Sequence, residues 1–502
     1  MKIVIVGGGP AGMLAAIAAS KQNKNGDEKV NKPSQVILLE KNEKLGKKLF
    51  ISGKGRCNLT NNCDMDEFFK NIVKNSKFLY SAFSEFSNED LKKMIEDNGC
   101  PLKVERGNRV FPVSDKSYDV IDALKRALKV AGVKVKLNTE VLNIKLLFTD
   151  DTIVGDDILS SHVGADKTIV GANKTIVGAN KTIVGANKTI VGADKTIVGA
   201  DIIRPHRRGE LYEPAGFLVT TNNGEKIIAD KVIVATGGLS YPSTGSTGDG
   251  YKFAKDFSIN VIDQRPSLVP FNVKEVEDCK LMQGLTLKNI SIKIYEVNNI
   301  KKVLYSDFGE LLFTHFGLSG PTILSASCFI DDFKDKVLTI DLKPALSIEQ
   351  LDARLLREFG DNKNKKLKTI IENMLPHSMV DVYLKRLEGN VKETLDSKFV
   401  EDGQSLAALK VTEVDRLLRR EMVNLFKDLK FTLVSSRGFD EAIITRGGVD
   451  VKEINPKTME SKKIKGLYFA GEVLDVDAMT GGFNIQIACS TGYAAGRSAH
   501  AI

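Results

Sequence analysis

A glycine pattern near residue 10 constrains the fold more than any other feature of the sequence. The β-branched run 3–6 is typical of a buried strand, and it leads into Gly7-x-Gly9-x-x-Gly12 and a helical stretch at 13–21. In this arrangement the first glycine allows a tight turn, the second lets the backbone approach a pyrophosphate, and the third lets the helix pack against the strand. The helix N-terminus, with Pro10 and Ala11, adds N–H groups and partial positive charge. The pattern therefore predicts a dinucleotide-binding turn.

The residues that follow complete a strand–helix–strand unit. The polar segment 23–34 is predicted to be a loop, and 35–39 is predicted to be a second strand that ends at Glu40. An acidic residue in this position binds ribose hydroxyls in dinucleotide-binding folds. Glu40 and the adjacent Lys41 are therefore candidate cofactor-binding residues.

A second motif combines glycines, cations and small polar groups over residues 47–61. Glycines let backbone N–H groups converge, and cations balance the charge of a phosphate or a reduced flavin. Its candidate cofactor-binding residues are Lys48, Ser52, Gly53, Gly55, Arg56, Cys57 and Asn58. Cys57 and Cys63 could form a redox pair, but five residues separate them where two-dinucleotide disulfide reductases have four, so unpaired thiols are expected.

Two further glycine-rich segments follow predicted strands. The first, after the strand 232–234, contributes Thr236, Gly237 and Gly238, at the expected carboxyl edge of a parallel sheet. The second follows the apolar run 466–470 and opens the last predicted helix near Phe483, where backbone amides could stabilise negative charge on a flavin. Its candidate cofactor-binding residues are Gly471, Glu472, Gly481, Gly482, Phe483 and Asn484.

An internal repeat interrupts the pattern. The heptad Val-Gly-Ala-Asp/Asn-Lys-Thr-Ile occurs five times between Val163 and Ile197, and a partial copy ends at Asp201. A coiled coil is excluded, because each copy contains a glycine and a β-branched triplet instead of an a/d pattern. Short strands joined by turns or a flexible excursion would both fit. A tolerated surface insertion without a role in the chemistry is expected, and a surface-binding or assembly role is the alternative.

The rest of the chain predicts two further regions. Alternating runs between 268 and 342 indicate a small β-barrel or sandwich, and the apolar periodicity of 348–426 indicates a helical subdomain. Strands are predicted to return at 431–434, 442–445 and 467–470.

Composition excludes several classes of protein. With 42% hydrophobic and 27% charged residues the chain is not mostly disordered, and no apolar run approaches the 18 residues of a membrane span. The net charge of +8 is not gathered into a basic block, so nucleic-acid binding is allowed but not indicated. The six cysteines include no C-x-x-C pair, which argues against zinc and for a reducing, cytoplasmic compartment. The sequence leaves the oligomeric state open.

Taken together, these motifs resemble one family. The segments GGGPAG, FISGKGRCNLTN, ATGG, GELLFTHFGLSGP (309–321) and GLYFAGEVLDVDAMTGGFNIQIACSTG (466–492) look like the BaiN/YhiN-type flavoproteins related to aminoacetone oxidase. The resemblance covers nearly the whole chain except the repeat. It implies an α/β fold: a glutathione-reductase-like, FAD-binding Rossmann domain with an inserted β-barrel domain and a small helical domain. The expected domains are a first FAD-binding part at 1–150, the repeat insertion at 151–212, a second FAD-binding part at 213–262, the barrel at 263–345, the helical subdomain at 346–428, and the barrel return with the C-terminal FAD-binding part at 429–502.

The resemblance also implies a reaction class but leaves the substrate open. Members look like NAD(P)H-dependent reductases of activated, enone-type double bonds, or like oxidases of small amines such as aminoacetone. Both reactions transfer hydride at flavin N5. No second dinucleotide fingerprint is visible, so NAD(P)H is expected to bind transiently if at all. His315 and Tyr241 are the candidate catalytic residues, although His315 could equally be structural. A flavin-dependent tRNA-modifying or RNA-binding protein and a flavin-bound regulatory protein are alternatives of other classes; a small-molecule substrate is expected.

Overall fold

The computed structural model of the chain describes residues 1–20, 35–148, 151–154, 157–160, 214–394 and 405–500. The predictions for the polar loop at 23–34 and for the heptad repeat lie outside the described residues. The chain divides into two compact units, one made of Met1–Gln264 with Arg446–Ile502 and the other of Arg265–Thr445.

The first part of the chain alternates short strands and helices up to the boundary between the units. In chain order its elements are β1 (Lys2–Val6), α1 (Pro10–Ser20), β2 (Gln35–Leu39), α2 (Lys47–Ile51), β3 (Thr60–Asn61), α3 (Met65–Lys70), β4 (Ile72–Lys74), α4 (Tyr80–Glu85), α5 (Asn88–Asp97), β5 (Leu102–Glu105), β6 (Arg109–Pro112), α6 (Ser117–Val130), β7 (Lys134–Lys136), β8 (Val141–Leu147), β9 (Asp151–Val154), β10 (Asp157–Ser160), β11 (Gly216–Thr221), β12 (Lys226–Ala229), β13 (Lys231–Val234), α7 (Asp249–Asp256) and β14 (Val261–Ser267).

The described residues in the middle of the chain form six strands and six helices. They are β15 (Phe271–Val273), α8 (Val276–Leu281), β16 (Thr286–Glu296), β17 (Asn299–Thr314), β18 (Gly317–Ser319), α9 (Pro321–Ala326), β19 (Lys336–Asp341), α10 (Ile348–Asp361), α11 (Leu367–Met374), α12 (His377–Thr394), α13 (Arg416–Lys427) and β20 (Leu429–Ser436). The six strands form a closed barrel in the order β15-β18-β17-β16-β19-β20. The alternating apolar residues of β16 and the apolar faces of α10 to α13 share one core within this unit.

The last part of the chain returns to the first unit. It contains β21 (Ile444–Val449), β22 (Leu467–Phe469), β23 (Asp477–Ala478) and α14 (Phe483–His500). A five-stranded sheet in the order β22-β13-β1-β2-β7 joins this segment to the N-terminal strands, and its four pairings are all parallel. The strand carboxyl ends therefore meet at one edge, where a doubly wound fold binds its ligand.

Helices α1 and α14 cross at unusually close range beneath that edge. A β-carbon added at Gly492 would lie 2.2 Å from the carbonyl oxygen of Ala11, and one at Gly496 would lie 2.1 Å from that of Ala15. Glycine at these positions lets the two backbones touch. Almost every residue of α1 is buried, which explains why the helix is apolar all round instead of amphipathic.

None of the helices in the described part of the chain is both long and apolar enough to cross a bilayer.

Candidate functional site

The N-terminal glycine turn has the close contacts that its sequence predicts. Gly7 has φ of 108°, and a β-carbon there would lie 2.4 Å from the carbonyl oxygen of Ala235. A β-carbon at Gly12 would lie 1.8 Å from the carbonyl oxygen of Gly7. Gly9 differs, since nothing lies within 4 Å of the position that its β-carbon would take. The turn is thus packed on the protein side and open at the glycine that is expected to face a pyrophosphate.

Glu40 lies directly against this turn. Its side chain is 8% exposed, and its Oε2 accepts a hydrogen bond of 2.7 Å from the backbone N–H of Gly8. Its Oε1 accepts a second bond of 2.8 Å from the N–H of Asn42. The carboxylate is therefore held at the end of β2, beside the glycine turn, as the sequence predicts. The neighbouring Lys41 donates to Asp249 at 2.7 Å, so its charge is already paired.

Two predicted cofactor-binding residues form an ion pair. Lys48 Nζ lies 2.7 Å from Oε2 and 2.9 Å from Oε1 of Glu472, with both side chains about one-fifth exposed. The hydroxyl of Ser240, a fully buried residue, donates to Oε1 of Glu472 at 2.7 Å and accepts from Lys48 at 2.5 Å. Sequence reasoning missed Ser240, although its position directly after Ala-Thr-Gly-Gly-Leu could have indicated it.

The carboxyl end of β13 presents Thr236, Gly237 and Gly238. The Oγ1 atom of Thr236 is buried and has no hydrogen-bond partner among the described residues. A β-carbon at Gly250 would lie 2.4 Å from this Oγ1, so the hydroxyl packs against the start of α7. Gly237 takes the left-handed conformation with φ of 75°, which lets the chain turn at the edge of the sheet.

The segment 52–58 turns back on itself through left-handed residues. Gly53, Lys54, Gly55 and Cys57 have φ of 57°, 58°, 83° and 60°. As at Gly9, nothing lies within 4 Å of a β-carbon position at Gly55. The Ser52 hydroxyl donates to the carbonyl of Leu49 at 2.7 Å, which closes the preceding turn.

Arg56, a predicted cofactor-binding residue, is paired with carboxylates of its own chain. Its guanidinium contacts the carboxylates of Glu105 and Asp115, with Nε of Arg56 2.8 Å from Oδ1 of Asp115. It also lies 4.2 Å from the ring centre of Phe111. The assignment of Arg56 as a cofactor-binding residue stays a prediction. Its contacts with Glu105, Asp115 and Phe111 hold separate segments of the chain together.

Cys57 and Cys63 are buried thiols. All six cysteines belong to the described part of the chain, and none of them is in a disulfide bond. Cys57 is fully buried, and this burial raises the pKa of its thiol to about 12. Burial likewise raises the pKa of Cys63. The thiolate is the reactive form, so the structure offers no support for a redox pair here.

The C-terminal glycines lie against the segment that follows Cys57. A β-carbon at Gly482 would lie 2.5 Å from the backbone of Thr60. The side-chain oxygen of Asn58 accepts from the N–H of Gly482 at 3.1 Å in the amide orientation that satisfies both of its neighbours. Asn61, which sequence reasoning missed, donates to the carbonyl of Gly481 at 3.1 Å.

The remaining C-terminal candidates have packing roles. Gly471 has φ of 80°, and a β-carbon there would lie 2.7 Å from Cβ of Ala11 on α1. Phe483 is buried and packs edge-on against Phe68, with ring centres 4.8 Å apart. Asn484 donates to the carbonyl of Ala478 at 2.7 Å and accepts from its N–H at 3.0 Å, which fixes the start of α14.

The two candidate catalytic residues belong to different units. Tyr241 is half-buried, has φ of 50°, and starts the short turn that follows Ser240. His315 is exposed in the turn between β17 and β18, with its ring edge-on to Phe316. Their catalytic roles stay predictions. No group of three or more His, Cys, Asp or Glu residues that could hold a metal ion occurs among the described residues.

The site fits a dinucleotide on the evidence of its own atoms. The open positions at Gly9 and Gly55 and the carboxylate of Glu40 all belong to one unit. The chain matches the family described as the HI0933-like protein Rossmann domain over residues 1–190 and 199–498. The chain belongs to this family. Membership confirms the predicted resemblance, and the protein is an FAD-dependent oxidoreductase.

Several characterised relatives match over nearly their whole length. The ribosomal RNA dihydrouridine synthase of Haemophilus influenzae is 26% identical over 491 residues, which cover 98% of this chain and 96% of that protein. The enzyme of the same name from Escherichia coli is 25% identical over 493 residues, with the same shares covered. The 3-dehydro-bile acid delta(4,6)-reductase of Clostridium scindens is 27% identical over 511 residues, which cover 99% of this chain and 98% of that protein.

Similar solved structures include the 3-ketosteroid-delta4-(5alpha)-dehydrogenase of Rhodococcus jostii. It shares 13% sequence identity, with a TM-score of 0.43 over 100% of this chain and 96% of that chain.

Proposed function

We propose that this HI0933-like protein uses FAD to reduce a carbon–carbon double bond conjugated to a carbonyl group. The observation that carries the proposal is the site at the carboxyl edge of the parallel sheet, where the open glycine turn lies beside Glu40. FAD supplies hydride transfer at its N5 atom when it is bound. The protein then has to bind, orient and shield the flavin and the acceptor.

Each part of the site has a task in this proposal. The turn from Gly7 to Gly12 and the first turn of α1 bind the pyrophosphate, and Glu40 accepts from a ribose hydroxyl. Glu472, held by Lys48 and Ser240, orients a hydroxyl of the cofactor from the opposite side of the sheet edge. Tyr241 donates a proton from its hydroxyl to the acceptor carbon that does not receive the hydride.

The names of the relatives support the choice of acceptor. A 3-oxo steroid with a delta-4,6 diene and a uridine both contain a double bond conjugated to a carbonyl. Polarisation by that carbonyl makes the distal carbon accept a hydride. One reaction, the reduction of a double bond conjugated to a carbonyl, is consistent with the names of both kinds of relative. NAD(P)H as the electron donor, the glutathione-reductase-like arrangement with its inserted barrel and helical parts, and the domain boundaries given above are parts of the same proposal.

A uridine in RNA is the second candidate acceptor, in place of a small molecule. Two relatives that carry the name ribosomal RNA dihydrouridine synthase are covered over 96% of their own length. The present chain also has an excess of basic residues, 72 against 64 acidic ones. Reduction of a base in RNA would require the base to leave its stack and enter the site.

The first experiment mixes the purified protein with NADPH, then with NADH, under anaerobic conditions while the flavin absorbance is followed. Bleaching, followed by reoxidation on addition of a steroid enone or of uridine-containing RNA, is the expected result. Gly12→Val is the test variant, because its side chain would collide with the carbonyl of Gly7 and prevent FAD binding. Gly389→Ala is the matched control, since nothing lies within 4 Å of its β-carbon position.

Two results would overturn the proposal. A colourless protein that cannot be reconstituted with FAD would exclude a flavin enzyme. A flavin that resists both nicotinamides, but is reduced by aminoacetone and reoxidised by oxygen, would establish an amine oxidase instead.

A further inference from the structure

Two aromatic rings with lysines above them lie exposed near helix α2. The ring of Phe50 is 43% exposed, and Nζ of Lys44 lies 5.1 Å from its centre. The ring of Tyr118 is 45% exposed, and Nζ of Lys116 lies 5.7 Å from its centre. Large aromatic side chains are normally buried, so two exposed rings in one region indicate a binding surface.

The two pairs are fixed next to each other. Ser117, the residue between Lys116 and Tyr118, donates from its hydroxyl to the carbonyl of Phe50 at 2.8 Å. This bond joins the end of α2 to the start of α6. We call the face formed by Lys44, Phe50, Lys54, Lys116 and Tyr118 the aromatic–lysine surface; Lys54 is exposed in the left-handed turn that follows α2.

The cations of this surface are available to an anion. Within the described part of the chain, no carboxylate lies within ion-pair distance of Lys44, Lys54 or Lys116. The neighbouring Arg56 and Lys103 are different, because Glu105 and Asp115 neutralise them. Glu43, Asp115 and Asp119 are the acids nearest in sequence to these lysines. Glu43 lies 3.5 Å from Lys47, and Asp115 pairs with Arg56 and Lys103.

We propose that the aromatic–lysine surface binds single-stranded RNA, with bases stacked on Phe50 and Tyr118 and phosphates contacted by the three lysines. Exposed rings interleaved with unneutralised cations are the combination that single-stranded nucleic acid requires, since every base has a face to stack and every nucleotide a charge. A protein partner would have to match the cations with acidic side chains, and a lipid surface would not need flat, separated rings. The inference rests on the RNA form of the proposed function.

The surface is continuous with the candidate site. Lys48, which pairs with Glu472, and Phe50 lie on the same short helix, and Ser52 begins the left-handed turn directly after it. RNA held across the outer face of α2 would present an unstacked base at the edge where the site opens. Binding of the strand and reduction of a base would then use opposite faces of one helix.

The test measures binding of the FAD-loaded full-length protein to a fluorescein-labelled, 15-nucleotide single-stranded RNA by fluorescence anisotropy. Phe50→Ala and Tyr118→Ala are each expected to weaken binding by roughly 5- to 100-fold, the effect of losing one stacked base. Tyr80→Ala, which removes a 55%-exposed ring elsewhere in the same unit, is the matched control and should change affinity by less than about twofold.

The lysines are tested through salt dependence. Loss of one phosphate contact lowers the slope of log affinity against log salt by about 0.7 for a single strand, so Lys44→Gln and Lys116→Gln should each show this change. Lys93→Gln is the control, because its side chain is 77% exposed and lies near Asp97. Flavin absorbance of every variant is recorded, so that loss of FAD is distinguished from loss of RNA binding.

Three outcomes would overturn the inference. RNA binding that is the same in the Phe50, Tyr118 and control variants would place RNA elsewhere. A wild-type protein that reduces a steroid enone but does not bind RNA would leave the reductase proposal standing and remove this surface from it. A dimer in sedimentation velocity that Phe50→Ala dissociates would make the surface an interface between two copies of the chain.

Discussion

Lys48 and Glu472 lie 424 residues apart in sequence, yet Nζ of Lys48 is 2.7 Å from Oε2 of Glu472. The pair joins the helix after the second strand of the parallel sheet to the turn after its last strand. Ser240, after β13, bonds to both residues. One polar cluster therefore ties three separate segments of the chain together at the edge of the sheet.

The first prediction concerns Glu472. Glu472→Gln should remove the charge partner of Lys48 and weaken FAD binding by roughly tenfold or more, because hydrogen bonds to charged groups contribute about 1.5–3 kcal/mol. The measurement is a titration of the apoprotein with FAD, followed by flavin fluorescence. Glu43→Gln, on an exposed side chain that also pairs with a lysine, is the control and should leave FAD affinity unchanged. Equal affinities in the two variants would exclude Glu472 from cofactor binding.

The second prediction concerns the crossing of α1 and α14. Gly492→Ala should lower the free energy of unfolding by about 1–3 kcal/mol, since the methyl group would meet the carbonyl of Ala11. Gly389→Ala, in the interior of α12, should instead raise it by about 0.5–1 kcal/mol, because alanine is the better helix former and nothing lies within 4 Å. Both substitutions replace glycine by alanine inside a helix, so both gain the same helix propensity. The difference between their effects on the free energy of unfolding therefore reports the contact between α1 and α14. Thermal unfolding by circular dichroism measures both, and two stabilised variants would contradict the close crossing.

Local patterns made much of the first unit predictable. The strand, glycine turn and helix at residues 2–20 and the final helix beginning at Phe483 lie where periodicity and turn residues indicated. Each of these signals is local, because a single segment carries both the apolar pattern and its ends. Their convergence at one sheet edge also follows from the rule that parallel strands align their carboxyl ends.

Contacts between distant segments were beyond the reach of the sequence. Arg56 could not be separated from a phosphate-binding residue, because its partners Glu105 and Asp115 are carried by a hairpin and a turn that no pattern places beside it. The net charge of +8 showed no basic block, since the lysines at 44, 54 and 116 lie on segments that are far apart in sequence and that the Ser117–Phe50 hydrogen bond joins only in the folded chain. The role of Ser240 likewise becomes visible only when the folded chain places Lys48 and Glu472 beside it.

The third prediction concerns alkaline pH. Burial raises the pKa of Cys57 to about 12 and that of Cys100 to about 11, above the ordinary thiol value of about 8.5. The folded state thus binds these protons more tightly than the unfolded state, so their stabilising contribution is complete below pH 8.5 and is lost as the pH rises towards 11–12. In urea unfolding, the free energy of unfolding should fall by at least about 1 kcal/mol between pH 8.5 and 10.5.

Cys57→Ala separates this effect from other groups that titrate in the same range. The variant should be less stable than the wild type at pH 8.5, because a cavity replaces the sulfur, but its decline with pH should be shallower. In the native wild type, Ellman's reagent at pH 8 should react with Cys57 only after unfolding, as the thiolate is nearly absent and the side chain is fully buried. Parallel pH curves for the two proteins would contradict the assignment.

The fourth prediction concerns Arg56, which the sequence assigns to the cofactor. Two carboxylates and the ring of Phe111 already surround its guanidinium, so little of its charge is left for an anion. Arg56→Gln should therefore keep FAD affinity within about threefold of the wild type and lower stability by no more than about 1 kcal/mol, as for a pair whose side chains are about one-third exposed. Glu105→Gln removes the Arg56–Glu105 ion pair by changing the carboxylate instead of the guanidinium. Its effects on FAD affinity and on stability should equal those of Arg56→Gln. A tenfold loss of FAD affinity in Arg56→Gln alone would show that the guanidinium leaves its partners to contact the cofactor, because only that change removes a positive charge.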